Sequence, residues 1–219
     1  MRNAYNALTT IPEFVKNLLT AAEKSGSWTT GIESDGGNRG SSINTAVYGH
    51  DETQGLAVVQ VRQCIFHPRR YNEVRKDYYL LGRTEQDNFF AHPIESPCRA
   101  KVCREGSPED VVAYVLAKIW DCTVAELGDI ERQGDVAFVP VRSLPASAVL
   151  TDNCVTLRET HRLEAAEIYQ AGDTLYVKRG ARLKHTKRQH KTIRAREGLY
   201  RVQVGVRARV WGFTAPMGD

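Results

Sequence analysis

The chain has 219 residues, 42% of them apolar and 26% charged, with a net charge of +4 and five cysteines. That is the composition of a globular protein with room for one large domain or two small ones, and it excludes a disordered or fibrous chain. No apolar run approaches the roughly 18–20 residues that span a bilayer, and MRNAYNALTTIPEFVKNLL places Asn, Thr and Pro where a signal peptide would be apolar. The expectation is a cytoplasmic protein with no membrane association. The odd set of cysteines (Cys64, Cys98, Cys103, Cys122, Cys154) then predicts reduced thiols. Cys98 and Cys103 form C-x4-C, but no second pair follows at zinc-ribbon spacing.

In chain order, Thr10 and Glu13 have capping-box spacing, Pro12 sits in a first turn and Gly26 supplies a stop. Phe14, Leu18, Leu19 and Ala22 share the apolar face of the helix between them. Residues 27–46 read as a loop; their GGNRGSS lacks the G-x4-G-K-[ST] pattern of a phosphate cradle. Gly55–Phe66 reads as a β-branched strand, and residues 77–82 and 89–93 as a hairpin around RTEQDN. Tyr79, Arg83, Asp87, His92 and Glu95 surround that hairpin at spacings that match no mechanism. A second helix begins at Ser107-Pro108-Glu109-Asp110, with Val112, Val115, Leu116, Ile119 and Trp120 on its core face. Thr123 and Glu126 predict a short helix after it, too short and too acidic to read a DNA groove.

Beyond Gln133-Gly134 the pattern becomes β: Asp135–Val141, Val155–Leu163, Thr174–Lys178 and Leu199–Phe213, with glycines at the turns. A boundary near residue 130 divides a mixed part, residues 1–129, from a mainly β part, residues 130–219. The fold class expected is α+β, with the second part an antiparallel sheet or small barrel.

The +4 conceals a separation. Residues 1–177 hold 18 Lys and Arg against 24 Asp and Glu, whereas residues 178–209 hold 12 against 1. From Tyr200 to Val210 the even positions are apolar or small, and the odd ones include Arg201, Arg207 and Arg209. Side chains alternate along a strand, so one face would be buried and the other basic. Residues two apart repeat at about 6.6–6.8 Å, comparable to successive phosphates, and Arg binds phosphate oxygens bidentately. Trp211 and Phe213 could stack on unpaired bases. Upstream, Lys184, Lys187, Arg188, Lys191, Arg194 and Arg196 continue a basic run with no acid inside it. Such a run repels itself unless a polyanion or nearby carboxylates neutralise it.

The same region holds His161, His185 and His190. A histidine pair could serve as general base and general acid on a phosphodiester, with Lys187 or Arg188 stabilising the developing charge. These histidines could also ligate a metal with Glu164, Glu167 or Asp173, but H-x4-H is not diagnostic and so many positive charges disfavour a cation. No metal or cofactor is therefore expected.

Three motifs, Gln133-Gly134-Asp135-Val136, the spaced His161, His185 and His190, and Gly198-Leu199-Tyr200-Arg201-Val202, give the last ninety or so residues a family resemblance. This part resembles a group of small uncharacterised bacterial and phage proteins. The resemblance implies a bacterial or phage setting and carries no activity. The expected function is nucleic-acid binding through a basic β face, RNA or single strands favoured. Two alternatives stand beside it. One is a histidine-based phosphodiesterase or nuclease. The other is an assembly protein, whose basic end docks on an acidic partner or on the acidic part of a second copy.

Overall fold

The computed structural model describes residues 11–25, 31–33, 41–65, 73–84, 87–187 and 190–207, and the chain divides into two units, the second running from Leu116 to Val206 and Arg207 belonging to the first. In the first, helix α1 (Glu13–Lys24) begins directly after Pro12. Thr10 and Gly26 lie outside the described residues. Val15, Leu18 and Ala22 recur at helical spacing and are buried. They pack on an antiparallel sheet of β1 (Gly31–Glu33), β2 (Ser41–Asp51), β3 (Leu56–Ile65), β4 (Glu73–Arg83) and β5 (Phe89–Ile94), each strand beside the next. Ala57, Val59 and Val61, alternate positions of β3, face that helix with Ile43, Val47, Tyr79 and Leu81. Each Val, Leu or Ile among them contributes about 1.5–3 kcal/mol by leaving water.

Residues 41–46 belong to β2 and not to a loop. Their Ser, Asn and Thr look loop-like, but pairing with β3 from Ser42–Cys64 to Asp51–Leu56 decides the conformation. The register shifts between Val47 and Gly49. A Cβ at Gly49 would stand 2.6 Å from the Pro108 carbonyl oxygen and 2.7 Å from Val111 Cβ, so only glycine fits. Residues 34–40, with most of GGNRGSS, lie outside the described set. After the short α2 (Val102–Glu105), α3 (Pro108–Trp120) starts at a reciprocal cap: Asp110 N–H donates to Ser107 Oγ (3.2 Å) and Ser107 N–H to Asp110 Oδ2 (2.9 Å). The division between the units falls within α3.

In the second unit, a 3-10 helix at Val124–Asp129, capped reciprocally by Thr123 and Glu126, leads into β strands. These are β6 (Glu131–Gln133), β7 (Val136–Val141), β8 (Val149–Thr151), β9 (Cys154–Leu157), β10 (His161–Glu164), β11 (Ile168–Ala171), β12 (Thr174–Lys178), β13 (Arg182–His185), β14 (Ile193–Arg194) and β15 (Leu199–Val204). They form two open antiparallel sheets, ordered β6-β7-β15-β12-β11-β8 and β14-β13-β10-β9. Val136, Phe138, Val177 and Val202 of the larger sheet share a core with Leu163 and Leu183 of the smaller one. The fold is α+β, and among the described residues no sheet closes into a barrel.

Two strands differ from their sequence reading. Val155–Leu163 is a hairpin, not one strand: Arg158 and Glu159 turn the chain with φ of 50° and 61°. Non-glycine residues seldom adopt that region, so the sequence carries no turn signal there. The last strand stops at Val204, ahead of Arg207. Among the described residues no helix is long and apolar enough to cross a membrane.

Candidate functional site

The β10–β13 pair sets His161 directly opposite His185 and Leu163 opposite Leu183. Residues directly opposite in register share a face, so the two histidines join the two leucines on the inner side of the smaller sheet. All four are buried, His161 completely and His185 to within 5%. His190 follows on a turn and is half-buried. The ring centroids of His161 and His185 are 4.8 Å apart, those of His185 and His190 5.2 Å, and those of His161 and His190 6.5 Å. The structure thus brings together the three histidines, which sequence separation alone does not imply.

Two further residues complete the cluster. Gly134, at φ 57°, turns the chain between β6 and β7 and leaves Gln133 and Asp135 on either side of it. Gln133 is 1% exposed; its Nε2 donates to the Leu183 carbonyl (3.2 Å) and to that of Lys191. It ties the end of β6 to β13 and to the turn carrying His190. Asp135 Oδ1 faces His161 Nδ1 at 3.9 Å. Both residues lie in the Gln-Gly-Asp-Val motif, which was the available signal, although neither had been assigned a role.

The Thr160 hydroxyl lies within hydrogen-bond distance of both the Arg158 carbonyl (3.2 Å) and His161 Nδ1 (3.1 Å). His161 Nε2 is buried with no hydrogen-bond partner among the described residues. Burial pushes the His161 imidazole below its usual pKa. Asp135 and a hydrogen bond with the Gln133 backbone oppose that shift, while His185 and His190 add to it.

The basic residues are distributed differently from the histidines. Lys184 lies on the outer face of β13, where its Nζ donates to Glu164 Oε2 (2.6 Å); Arg162 holds the other carboxylate oxygen at 3.1 Å. The Lys184 hydrogen bond holds the Glu164 carboxyl below its ordinary range. Arg196 pairs with Glu131, Arg179 with Glu197 and Lys178 with Glu167. Arg201 does not stand free on a strand face: its side chain is 19% exposed and pairs with Asp121, also donating to the carbonyls of Asp121 and Trp120. Arg207 lies beyond the strand's end, half-buried. Lys187, Lys191 and Arg194 are exposed and have no ion-pair partner among the described residues. Arg188, Arg209, Trp211 and Phe213 lie outside those residues.

In the first unit, Arg83 pairs with Asp87 (3.3 Å) beside an open cleft of about 540 Å³ that Phe14, Leu18, Lys24 and Gln54 also line. Cys98 Sγ lies 3.2 Å from the Tyr78 hydroxyl, and none of the five cysteines, all among the described residues, forms a disulfide.

The second unit is thus a two-sheet antiparallel domain with a cluster of histidines inside one end. Residues 132–204, which run from β6 to the end of β15 and hold every residue of that cluster, match a domain of unknown function (DUF8820). No curated protein and no solved structure matches the chain.

Proposed function

We propose that the C-terminal β unit is a cytoplasmic nucleic-acid-binding module, of bacterial or phage setting, that meets single-stranded RNA or DNA at the turn carrying His190. The observation behind this reading is where the unpaired cations stand. Lys184, Arg196 and Arg201 are matched to carboxylates, whereas Lys187 and Lys191 flank His190 without an ion-pair partner among the described residues. A phosphate drawn to that turn displaces small counterions rather than an existing salt bridge, which is the favourable case for binding. The basic turn, more than the face of β15, is then the contact surface.

The test is fluorescence anisotropy of labelled single- and double-stranded oligonucleotides across a salt series. Binding should weaken steeply with salt, and Lys187→Ala with Lys191→Ala should flatten the log–log slope by about 1–1.5 for a single strand, at about 0.7 per phosphate contact. Absence of low-salt binding, or an unchanged slope in the double variant, overturns the reading. A second reading, a phosphodiester-cleaving hydrolase, is favoured by the pairing of half-buried His190 with His185 at 5.2 Å, an accessible group backed by a second imidazole. Cleavage lost in His190→Ala supports it; equal cleavage by the variant removes it. For the assembly alternative, light scattering at moderate salt should show a defined oligomer in the absence of nucleic acid.

A further inference from the structure

Like charges set directly opposite each other across an antiparallel strand pair destabilise a sheet, their Cβ atoms being about 4.5–5.5 Å apart. The outer face of the smaller sheet carries two such pairs side by side. Arg162 of β10 stands opposite Lys184 of β13, and Arg182 of β13 stands opposite Arg194 of β14. The first pair has its own anion. Glu164, two residues from Arg162 and on the same face, accepts from Lys184 Nζ at Oε2 (2.6 Å) and pairs with Arg162 Nε at Oε1 (3.1 Å).

The second pair has no such anion among the described residues. Glu164 is the register partner of Arg182, yet both its oxygens are engaged, and it acts on Arg182 only through its longer-range field. Glu131 and Glu197 are taken by Arg196 and Arg179. Arg182 and Arg194 are both exposed, and neither has an ion-pair partner among the described residues. Two guanidinium groups on adjacent strands, each a planar fork that holds two oxygens, are the donor chemistry for a phosphate group.

We propose that Arg182 and Arg194 form a phosphate site, in which a phosphodiester of a nucleic-acid strand does for this pair what Glu164 does for its neighbour. The inference rests on the nucleic-acid reading above, and it extends the contact surface from the His190 turn onto the outer face of the smaller sheet. Arg194 lies three residues from Lys191. That is at most about 11 Å of chain, at up to 3.6 Å per residue, so one strand can touch both.

The experiment uses the full chain in two arms. Without nucleic acid, melting temperatures are compared in phosphate and in chloride at equal ionic strength and pH. Phosphate stabilises folded proteins generally by exclusion from their surface, so the quantity read is the difference between wild type and variant. The rise in phosphate should be larger in wild type than in Arg182→Gln, Arg194→Gln. Arg194→Glu, at an exposed position, sets a carboxylate opposite Arg182. It should melt higher than wild type in low-salt chloride and lose the extra rise in phosphate. An arginine that merely supports the fold would give a lower melting temperature instead. In the second arm, with a labelled single strand, the double glutamine variant should flatten the log–log salt slope by about 0.7, the share of one phosphate contact. Equal rises in phosphate for wild type and both arginine variants overturn the site. A slope flattened in the Lys187→Ala, Lys191→Ala variant but unchanged in the glutamine variant removes this contact alone. An extra rise in phosphate without oligonucleotide binding keeps the site with free phosphate as its ligand and removes the nucleic-acid reading.

Discussion

Each unit buries a cluster of polar side chains, and the two clusters are built on different principles. In the first, Gln60 on β3 donates from Nε2 to the hydroxyls of Tyr48 (3.2 Å) and Tyr78 (2.6 Å), and Tyr78 in turn contacts Cys98 Sγ (3.2 Å). Each group answers another, across three adjacent strands and the 3-10 helix at Pro97–Arg99. Burial raises the Cys98 thiol, but the Ser96, Tyr48 and Tyr78 hydroxyls outweigh it and hold the thiol below its usual pKa. In the second unit, the histidines are packed as closely, yet His161 Nε2 has no hydrogen-bond partner among the described residues. A satisfied network specifies a core, whereas an incompletely satisfied one at similar depth leaves a polar atom whose burial is not repaid.

The comparison can be broken at three points. The largest effect is expected from Leu183→Ala, which opens a cavity at a fully buried site and should cost about 2–5 kcal/mol in denaturant unfolding. His185, two residues on and on the same face, should behave otherwise. His185→Leu should cost less than about 1.5 kcal/mol, because a leucine of similar volume fills the same buried position. If it costs as much as Leu183→Ala, the histidine is a core residue and the contrast fails. Gln60→Leu should cost about 1–3 kcal/mol, since it strips a donor from two tyrosine hydroxyls. A neutral result would show that the first cluster is not a structural network.

The smallest effect concerns acid stability. Burial raises Asp51, but Thr53 and Gln54 donate to its carboxylate and the net pKa lies below the ordinary value. A depressed carboxyl contributes stability that is present above the unfolded value of about 3.9 and lost as pH falls through the folded one. Urea midpoints measured from pH 5 down to pH 2.5 should therefore fall less in Asp51→Asn than in wild type. Equal slopes would show that this carboxylate is no better satisfied folded than unfolded.

Much of this architecture was legible in the sequence where the signal is local. The capping residues Ser107 and Asp110, Thr123 and Glu126 act through neighbours three positions away, and their bonds are formed. The β10 strand was legible only in part, because Arg158 and Glu159 occupy a left-handed turn that their side chains do not advertise. The first half of strand β2 was missed because Ser42 to Ala46 pair with Cys64 to Gln60, 22 to 14 residues away and beyond the reach of composition. Of the site, the three histidines were recognisable as a set. Asp135 and Gln133 were visible only as part of a motif with no stated role.

Alternating residue types along the chain determined that each half of this protein contains sheets, and that the charge is acidic before residue 178 and basic after it. Those are properties of neighbours in sequence. Which cations stay free was decided by tertiary structure alone, because carboxylates such as Glu131 and Asp121 reach Arg196 and Arg201 from 65 and 80 residues away. The same long-range pairing carried His161 to His185, and burial, which no local pattern encodes, left His161 Nε2 without a hydrogen bond among the described residues.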